Sequence, residues 1–332
     1  MKVWTQLEKY QKGNSERDLV LALGNFDGAH LGHQRILHSV VDHAKKRNGI
    51  PAVLTFHEHP QRVLHHSKTP ALLTSPQHRL LFFQTMGIEV CFLLHFTIDF
   101  SKTRPEDFIK EWLVERLKVR EVHLGYNAHF GFDRAGDCGL MRKLSGPLGF
   151  DFYEADPVTV EGQFISSSLI RHVIQEGDLA RARSFLGRPF SIFASVVRGK
   201  GRGRTLGFPT ANLRPHSEIL PPRGVYPVEV RQTQFHLRPL LSSNEFEYEL
   251  EELGEWRPGV LNYGTRPTFD PESEEAAPEV FIFDFSGNLY GKTVEVLFHP
   301  KLRDEKHFQD SKELSEAIER DVARAQEYFR IV

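Results

Sequence analysis

The sequence predicts an α/β domain with a doubly wound parallel sheet, followed by an antiparallel β-barrel that ends in a helix. The chain has 332 residues, which is long for a single hydrophobic core. Apolar strand patterns alternate with helical patterns up to residue 187, as is typical of a parallel sheet. After Gly187-Arg188-Pro189 the pattern changes to strands and turns, which favours a barrel whose predicted strands include Glu279–Phe285 and Leu289–His299. We therefore predict domains at residues 1–187 and 188–332.

The composition excludes several classes of protein. There are 42 Lys and Arg residues against 44 Asp and Glu, so the net charge of -2 argues against a nucleic-acid partner. Neither a membrane-spanning apolar run nor the apolar core of a secretory signal is visible, so no membrane partner is expected. Cys91 and Cys138 are the only cysteines, too few for a disulfide framework or a cysteine metal cage. A cytoplasmic location is the simplest setting, and the sequence leaves the oligomeric state open.

The first strand leads directly into a glycine-rich turn. The apolar run Leu19–Leu23 precedes the turn at residues 24–32, and a helical pattern follows. Ligands bind at the carboxyl ends of strands in such sheets, and a helix start favours anions. His30 and His33 are three residues apart, so both can project to one side of that helix start. The turn is therefore predicted to hold a phosphate chain, although two histidines in a turn can also be ordinary loop residues.

Further strands are predicted at residues 51–56, 90–94 and 121–124, and Pro105 is predicted to open a helix. Phe56 and His57 lie at the carboxyl end of the second strand, which makes them candidates for the wall of a ligand pocket. The aromatic, glycine-rich loop 125–137 follows the fourth strand. The serines at 166–168 can cap a helix that Gly177 ends, but a cap does not require Arg171.

The second half has two segments that indicate chemistry. Residues 198–213 combine glycines and basic residues before Pro-Thr-Ala-Asn, and they do not match the P-loop pattern. Their backbone N–H groups and cations can cover phosphates, while Thr210 and Asn212 offer oxygens to Mg²⁺. A flexible linker is the alternative, but the apolar residues among them argue against it. Glu279 begins an alternating strand and could serve as a base, although exposed acids usually have no such role.

These segments, in this order, resemble the bifunctional riboflavin kinase/FAD synthetases of bacteria. The sequence GNFDGAHLGHQ resembles their nucleotidyltransferase signature, and residues 164–171 resemble their I-S-S-T-x-I-R segment. Residues 198–213 resemble the riboflavin kinase motif G-[KR]-G-x-x-x-G-x-P-T-A-N. Residues 262–269 and 303–308 resemble two further kinase segments. Ala128 departs from the pattern, because an aromatic residue is usual there, and His307 replaces a usual lysine.

The resemblance implies two reactions. The second domain would phosphorylate riboflavin with Mg²⁺ and ATP to give FMN, and the first would join FMN to the AMP part of ATP, giving FAD and pyrophosphate. The residues that the resemblance implies to be catalytic are His30, His33, Arg171, Asn212 and Glu279. ATP in the first domain would be held by Gly24, Phe26, Gly32, Ser166, Ser167 and Ser168, and flavin there by Phe56, His57, Asn127 and Phe130. In the kinase domain, the residues implied to bind ATP are Gly201, Gly203, Gly207, Pro209 and Thr210. Mg²⁺ would be bound by Thr210 and Asn212, and flavin by Arg303 and Glu305.

Two alternatives stay open at this point. A different adenylyltransferase or a class I synthetase could share the H-x-G-H turn, but neither explains GRTLGFPTAN. The other alternative is a flavin-binding protein that retains only one of the two activities, or none. The glutamate-rich residues 242–255, within the longer stretch 235–256, are predicted to be a surface insertion and are assigned no function.

Overall fold

The computed structural model describes residues 1–7, 10, 17–64, 71–199, 207–216, 218–239, 245–264 and 277–331. The chain divides into two compact units. The first unit consists of Met1–Ser167 together with Phe235–Glu249, and the second of Ser168–Gln234 together with Leu250–Val332. No helix among the described residues is long and apolar enough to cross a membrane.

The first unit is built on a parallel sheet. Its six strands are β1 (Lys2–Trp4), β2 (Leu19–Leu23), β3 (Ile50–Phe56), β4 (Val90–Leu94), β5 (Val119–Gly125) and β6 (Asp151–Ala155). Their order across the sheet is β1-β4-β3-β2-β5-β6, and every neighbouring pair is parallel. The predicted fold class is confirmed for this half, and β6 is a strand that the sequence did not predict.

Helices cover both faces of this sheet. They are α1 (Leu31–Lys46), α2 (Pro60–Leu64), α3 (Pro76–Thr85), α4 (Ile98–Ser101), α5 (Pro105–Asp107) continued by a π-helix (Phe108–Arg116), and α6 (Cys138–Leu148). Successive residues of β2 alternate between two apolar clusters. Val20 packs with Leu37 of α1 on one face, whereas Leu21 packs with Leu113 on the other. A strand buried on both faces explains why its sequence is uniformly apolar. A short hairpin, β7 (Thr159–Val160) and β8 (Gln163–Phe164), precedes the end of the unit.

The second unit is a closed barrel, as predicted. The six strands of the barrel are β9 (Ser191–Val197), β10 (Ala211–Pro215), β11 (Gly224–Pro239), β13 (Arg257–Gly264), β14 (Ala277–Ile282) and β15 (Thr293–Phe298). They pair antiparallel in the order β13-β14-β10-β9-β15-β11, and β11 pairs back onto β13. Two helices, α7 (Ser167–Glu176) and α8 (Leu179–Leu186), precede the barrel in the sequence. The terminal helix α9 (Ser311–Ile331) buries Ala325 against Val260 and Phe283.

Within residues 235–256, which are predicted to be a surface insertion, two segments form strands. Strand β11 continues to Pro239, and residues 245–253 form β12 (Glu245–Leu253). The beginning of β12 pairs antiparallel with β1, with Trp4 opposite Glu245 and Lys2 opposite Glu247. Glutamate alternates with apolar residues along Glu-Phe-Glu-Tyr-Glu-Leu-Glu, and this period of two marks a strand. Because the stretch is so rich in glutamate, this alternation was not recognised as a strand pattern in the sequence.

Three smaller differences concern strand ends in the barrel. The strand predicted from Glu279 to Phe285 ends at Ile282, because Asp284 has a φ of 51°. The strand predicted from Leu289 to His299 is shorter, spanning Thr293–Phe298. The end of the basic run also forms a strand, β10, although its glycines and charges predicted no regular structure.

Two candidate active sites

The turn between β2 and α1 brings His30 and His33 together. His30 is the N-cap residue of α1, and its Nδ1 accepts a hydrogen bond from the backbone N–H of His33 at 3.3 Å. The two imidazole rings stack, with centroids 3.6 Å apart and planes 18° apart. A Cβ on Gly32 would lie 3.2 Å from the ring of His30, so only glycine lets that ring pack closely on the helix start. Two imidazoles and the exposed N–H groups of a helix start together form a site for an anion.

The side chain of Asp27 connects this turn by hydrogen bonds to the segment before α3. This role was not predicted from the sequence. The side chain is buried, and its Oδ1 accepts hydrogen bonds from the backbone N–H groups of Leu73 and Thr74 at 2.9 and 3.0 Å. The N–H of Gly28 donates to the Thr74 hydroxyl at 2.9 Å in return. The turn at the candidate phosphate site is thereby fixed by charge-assisted hydrogen bonds.

Arg79 of α3 is a second buried group that the sequence did not reveal. Its Nη1 donates to the carbonyl of Asn25 at 2.7 Å and to the hydroxyl of Thr55 at 3.1 Å. Its Nη2 donates to the carbonyls of Phe56 and His57 at 2.7 and 3.3 Å. Burial lowers the pKa of this guanidinium, although Asp27 acts in the opposite direction. One side chain therefore joins the carboxyl ends of β2 and β3, where the predicted ATP and flavin residues lie.

The predicted flavin residues of the first unit lie at the ends of β3 and β5. Phe56 packs edge-on against Phe96, with ring centroids 5.1 Å apart, and Phe130 packs against Phe108 at 5.8 Å. Asn127 is exposed. His57 donates its backbone N–H to Leu94 at 2.8 Å.

Aromatic rings other than the predicted ones are exposed in the loop after β5 and in β8. Ala128 packs against the core, whereas Phe132 is 54% exposed. Tyr126 and Phe164 are also exposed, and their ring centroids are 6.1 Å apart. Exposed large aromatic side chains are available surfaces for a planar ligand. The ring missing at Ala128 therefore has neighbours that offer a similar surface.

Ser167 links the serine segment, residues 166–168, to the turn between β2 and α1 by a hydrogen bond. Its hydroxyl donates to the carbonyl of Asp27 at 2.9 Å, which brings it to the residues before His30. Ser166 immediately precedes α7. Ser168 and Arg171 belong to the second unit, where Arg171 is a buried residue of α7. Their placement opposite His30 and His33 stays a prediction.

In the barrel, strand register aligns the predicted kinase residues. Asn212 on β10 lies directly opposite Glu279 on β14, and Glu279 lies opposite Asn262 on β13. Directly opposite residues of antiparallel strands project to the same face. Asn212 is buried and Glu279 is partly buried. The three side chains thus form a row of oxygen-bearing groups across one face of the barrel.

The loops beside this row contain the other predicted kinase residues. A Cβ on Gly199 would lie 2.0 Å from the Asn212 Nδ2, so the backbone there passes directly over that carboxamide. Thr210 immediately precedes β10, Pro209 is exposed, and Gly207 has a φ of 83°. Gly201 and Gly203 lie outside the described residues, as does the part of the segment 262–269 that follows Gly264.

Arg303 and Glu305 have different surroundings. The Nε and Nη2 atoms of Arg303 donate to the carboxylate of Asp321 on α9 at 2.9 and 2.6 Å. A Cβ on Gly264 would lie 2.4 Å from Oε1 of Glu305, so the Glu305 side chain lies over the end of β13. We infer that Arg303 anchors this segment to α9, while Glu305 is the member that extends along the barrel.

Comparison with known proteins shows the family to which the chain belongs. The FAD synthetase family matches residues 12–169, and the riboflavin kinase family matches residues 186–329. A bifunctional riboflavin kinase/FMN adenylyltransferase of Escherichia coli K12 is 34% identical over 310 residues, covering 93% of this chain and 92% of the relative. This chain belongs to the bifunctional riboflavin kinase/FMN adenylyltransferase family. The resemblance inferred from the motifs is confirmed.

A second relative has the same description, and a solved structure with a different description shares the fold. The Bacillus subtilis protein with the same description is 35% identical over 314 residues, covering 93% of this chain and 92% of its own length. A solved structure described as a macrolide-efflux protein from Streptococcus pneumoniae aligns with a TM-score of 0.76 and 27% identity, over 96% of both chains. The family's two enzymatic domains are therefore both present, in the order that the motifs predicted.

Proposed function

We propose that the turn between β2 and α1 is the FMN adenylyltransferase site and that the row formed by Asn212 and Glu279 is the riboflavin kinase site. As a member of its family, the chain is a transferase of flavin cofactor synthesis. Riboflavin is phosphorylated by ATP to FMN, and FMN is then adenylylated by ATP to FAD with release of pyrophosphate. The observation that carries the residue assignment is the stacked pair of His30 and His33 at the start of α1.

In the adenylyl transfer, a phosphate oxygen of FMN attacks the α-phosphorus of ATP, and the bond to pyrophosphate breaks. No protein nucleophile is needed, so the side chains act by positioning and by stabilising charge. His30 and His33 donate hydrogen bonds to the triphosphate as negative charge develops on the leaving pyrophosphate. Ser166, Ser167 and Arg171 hold other phosphate oxygens, for which a guanidinium with two parallel donors is suited. Gly24, Phe26, Gly32 and Ser168 complete the ATP site.

In the kinase reaction, Glu279 takes the proton of the ribityl 5′-hydroxyl as its oxygen attacks the γ-phosphorus of ATP. The hydroxyl of Thr210 and the carboxamide oxygen of Asn212 are hard oxygen donors, which fits Mg²⁺. Gly199 has no side chain, so its backbone can lie close to that carboxamide. When bound, Mg²⁺ neutralises charge on the phosphates. Gly201, Gly203, Gly207 and Pro209 cover the phosphates, and Glu305 contacts the flavin from a segment that Arg303 anchors.

Flavin in the first unit binds between the ends of β3 and β5. Phe56 and Phe130 provide apolar surface, and His57 and Asn127 provide hydrogen bonds to the polar edge of the ring system. Phe132 supplies the exposed ring that Ala128 lacks. The location of the site at this edge agrees with the general position of ligands in open parallel sheets.

One incubation tests the two assignments. Purified protein receives riboflavin and Mg²⁺–ATP, and riboflavin, FMN and FAD are resolved over time. We expect FMN to appear first and FAD to follow. His33→Ala should lower FAD formation by about 10²–10³-fold, the usual loss for one preorganised donor, while FMN formation persists. Glu279→Gln should abolish FMN formation while FAD still forms from supplied FMN.

The control is His38→Ala, because His38 is exposed on the same helix as His33. It should behave as the wild type in both reactions. Equal loss of both activities in His33→Ala would contradict the assignment of separate sites.

The second candidate is a flavin-binding protein that retains only the kinase activity. Ala128 favours it, because an aromatic ring is usual at that position in the family. FMN that accumulates without conversion to FAD would support this candidate, and conversion at a rate comparable to FMN formation would exclude it.

A further inference from the structure

A cluster outside both candidate active sites combines His43, Glu121 and His123. His43 is in the last turns of α1, and the other two side chains are alternate residues of β5, so they point to the same face of the sheet. His123 and Glu121 are 0% and 4% exposed, and His43 is 30% exposed. His30 and His43 are thirteen residues apart on one helix, which separates this cluster from the adenylyltransferase turn by about 20 Å.

The three side chains converge on one point. The Oε1 atom of Glu121 lies 2.6 Å from Nδ1 of His43 and 3.1 Å from Nε2 of His123. All three of these atoms lie within 4.8 Å of one another. The ring of Tyr153 packs against both imidazoles, with centroid distances of 5.3 Å to His43 and 4.7 Å to His123. Tyr153 therefore supports both rings, and the partly exposed ring of His43 has more freedom to move than that of His123.

The hydrogen bonds of Ser39 determine what His123 presents to Glu121. The Ser39 Oγ lies 2.8 Å from the carbonyl oxygen of Ile36 and 2.8 Å from Nδ1 of His123. When the single hydroxyl proton goes to the carbonyl of Ile36, Nδ1 of His123 donates to Ser39. In a neutral ring Nε2 is then a lone pair that faces a carboxylate. That arrangement is repulsive unless a positive charge lies between the two atoms.

A second proton on His123 is one way to supply that charge, but the ring is inaccessible to solvent, and burying a charged imidazole is costly. A cation held between the imidazoles and Oε1 of Glu121 is the other way, because that oxygen faces both rings.

The surroundings of the carboxylate also suit a ligand to a cation. The Nε of Arg47 is in ionic contact with Oε2 of Glu121 at 3.2 Å, and its Nη1 binds Asp151 at 2.7 Å. Arg47 thus engages the oxygen that points away from the histidines and leaves Oε1 toward them. With neutral imidazoles, these two acids and one arginine give the site a net charge of about -1. A metal-ligating histidine commonly donates its other nitrogen to a neighbouring oxygen, as His123 does to Ser39.

We propose that His43, Glu121 and His123 form a binding site for a divalent transition-metal ion of the Zn²⁺ type. Imidazole nitrogens with one carboxylate oxygen suit Zn²⁺, whereas Mg²⁺ and Ca²⁺ prefer oxygen alone. Two ligands of a tetrahedral Zn²⁺ stand about 3.3 Å apart, close to the 3.1 Å between Glu121 and His123. His43, the most exposed of the three ligands, moves outward by about 0.7 Å to meet the same spacing. The ion would tie the end of α1 to β5 and so steady the helix that begins at His30.

Cobalt spectroscopy tests this proposal on the full-length protein. The protein is stripped with a chelator, dialysed and titrated with Co²⁺, whose visible absorption is intense in tetrahedral sites and weak in octahedral ones. We expect a saturable tetrahedral band that Zn²⁺ displaces. Zn²⁺ should also raise the melting temperature, because an ion that binds only the folded state stabilises it. Glu121→Gln and His43→Ala should each weaken Co²⁺ binding at least about tenfold.

Two controls make the outcome specific. His38→Ala, on the exposed face of the same helix, should titrate as the wild type. A second cluster, formed by His57, Glu58 and His95, could also hold an ion, but a band from it would survive His43→Ala. If Glu121→Gln fails to fold by circular dichroism, His43→Ala decides the question because its side chain is partly exposed. A wild-type titration without a tetrahedral band, or a band that both variants retain, would overturn the proposal.

Discussion

Replacing Arg79 with methionine removes a buried side chain that joins the ends of β2 and β3. The guanidinium donates to three backbone carbonyls and one hydroxyl, at distances from 2.7 to 3.3 Å. Hydrogen bonds from a charged donor contribute about 1.5–3 kcal/mol each, which gives an upper limit of about 6–12 kcal/mol. Removing a buried charge returns several kcal/mol of desolvation cost, so the expected net loss for the first unit is about 3–5 kcal/mol.

Activity should fall as well, because the carbonyls that lose their donor belong to residues beside the phosphate and flavin sites. A displacement of about 1 Å at a reacting group costs about 10²-fold in rate, so we expect Arg79→Met to lower FAD formation from FMN by about that factor. FMN formation from riboflavin takes place in the second unit and should be retained. Arg79→Lys should recover only part of the loss, because a single ammonium cannot reach both strand ends.

Two measurements check this prediction. Hydrogen–deuterium exchange of peptides that cover residues 19–29 and 50–57 reports local stability, and initial rates of the two reactions report function. Arg120→Met is the matched control, because Arg120 is exposed and donates to the Gly149 carbonyl at 3.1 Å. Its stability should change by no more than about 0.5 kcal/mol. Wild-type exchange and wild-type FAD formation in Arg79→Met would refute the reasoning.

Three other substitutions are informative. Gly199→Ala places a methyl group 2.0 Å from the Asn212 Nδ2, so FMN formation should fall about 10²-fold while FAD formation from supplied FMN continues. Asp27→Asn removes the charge that holds two backbone N–H groups, at a cost of about 1.5–3 kcal/mol, and should increase hydrogen exchange around residues 73–74. Burial lowers the pKa of His299 in the barrel despite its contact with Glu229, so the unfolded chain binds more protons as the pH falls through about 6.5. Unfolding measured at pH 7.5 and 5.5 should therefore show a loss of stability at the lower pH, and His299→Gln should lack that part of the loss.

Each of these substitutions has a control of the same chemical type. Gly146→Ala adds a methyl group that meets nothing within 4 Å and should leave both activities unchanged. Asp42→Asn and His38→Gln alter exposed side chains and should not affect exchange or acid stability. Full kinase activity in Gly199→Ala, unchanged exchange in Asp27→Asn, or the same pH dependence in His299→Gln would each contradict the corresponding prediction.

The parallel sheet and the histidine turn could be predicted because their causes are local. A strand covered by helices on both faces must be apolar throughout, and Leu19–Leu23 shows this directly. The spacing of His30 and His33 is likewise a property of a helix start. The register that places Asn212 opposite Glu279 could not be predicted from the sequence, because about 65 residues and two other barrel strands lie between them.

Asp27 and Arg79 were missed for a different reason. Their partners are backbone groups of distant segments, and a backbone group has no signature in the sequence. From sequence alone, an aspartate within a glycine-rich turn is interpreted as an ordinary turn residue, and an arginine in a helix is interpreted as an exposed residue. Only the tertiary structure shows that both are buried. A polar residue inside an otherwise apolar helix face, such as Arg79 beside Leu80 and Phe83, is the signal that could have indicated the second of them.

The pairing of β1 with β12 has a consequence for the order in which the chain folds. Lys2 and Glu247 are neighbours in the sheet, yet about three quarters of the polypeptide separates them. During synthesis, β1 leaves the ribosome long before β12, which follows three of the six barrel strands, so this sheet edge remains uncovered for much of translation. A fragment that stops at residue 187 would contain every parallel strand and still lack the strand that covers β1. Its exposed edge would be open to pairing with other chains, and aggregation of such a fragment would be the expected result.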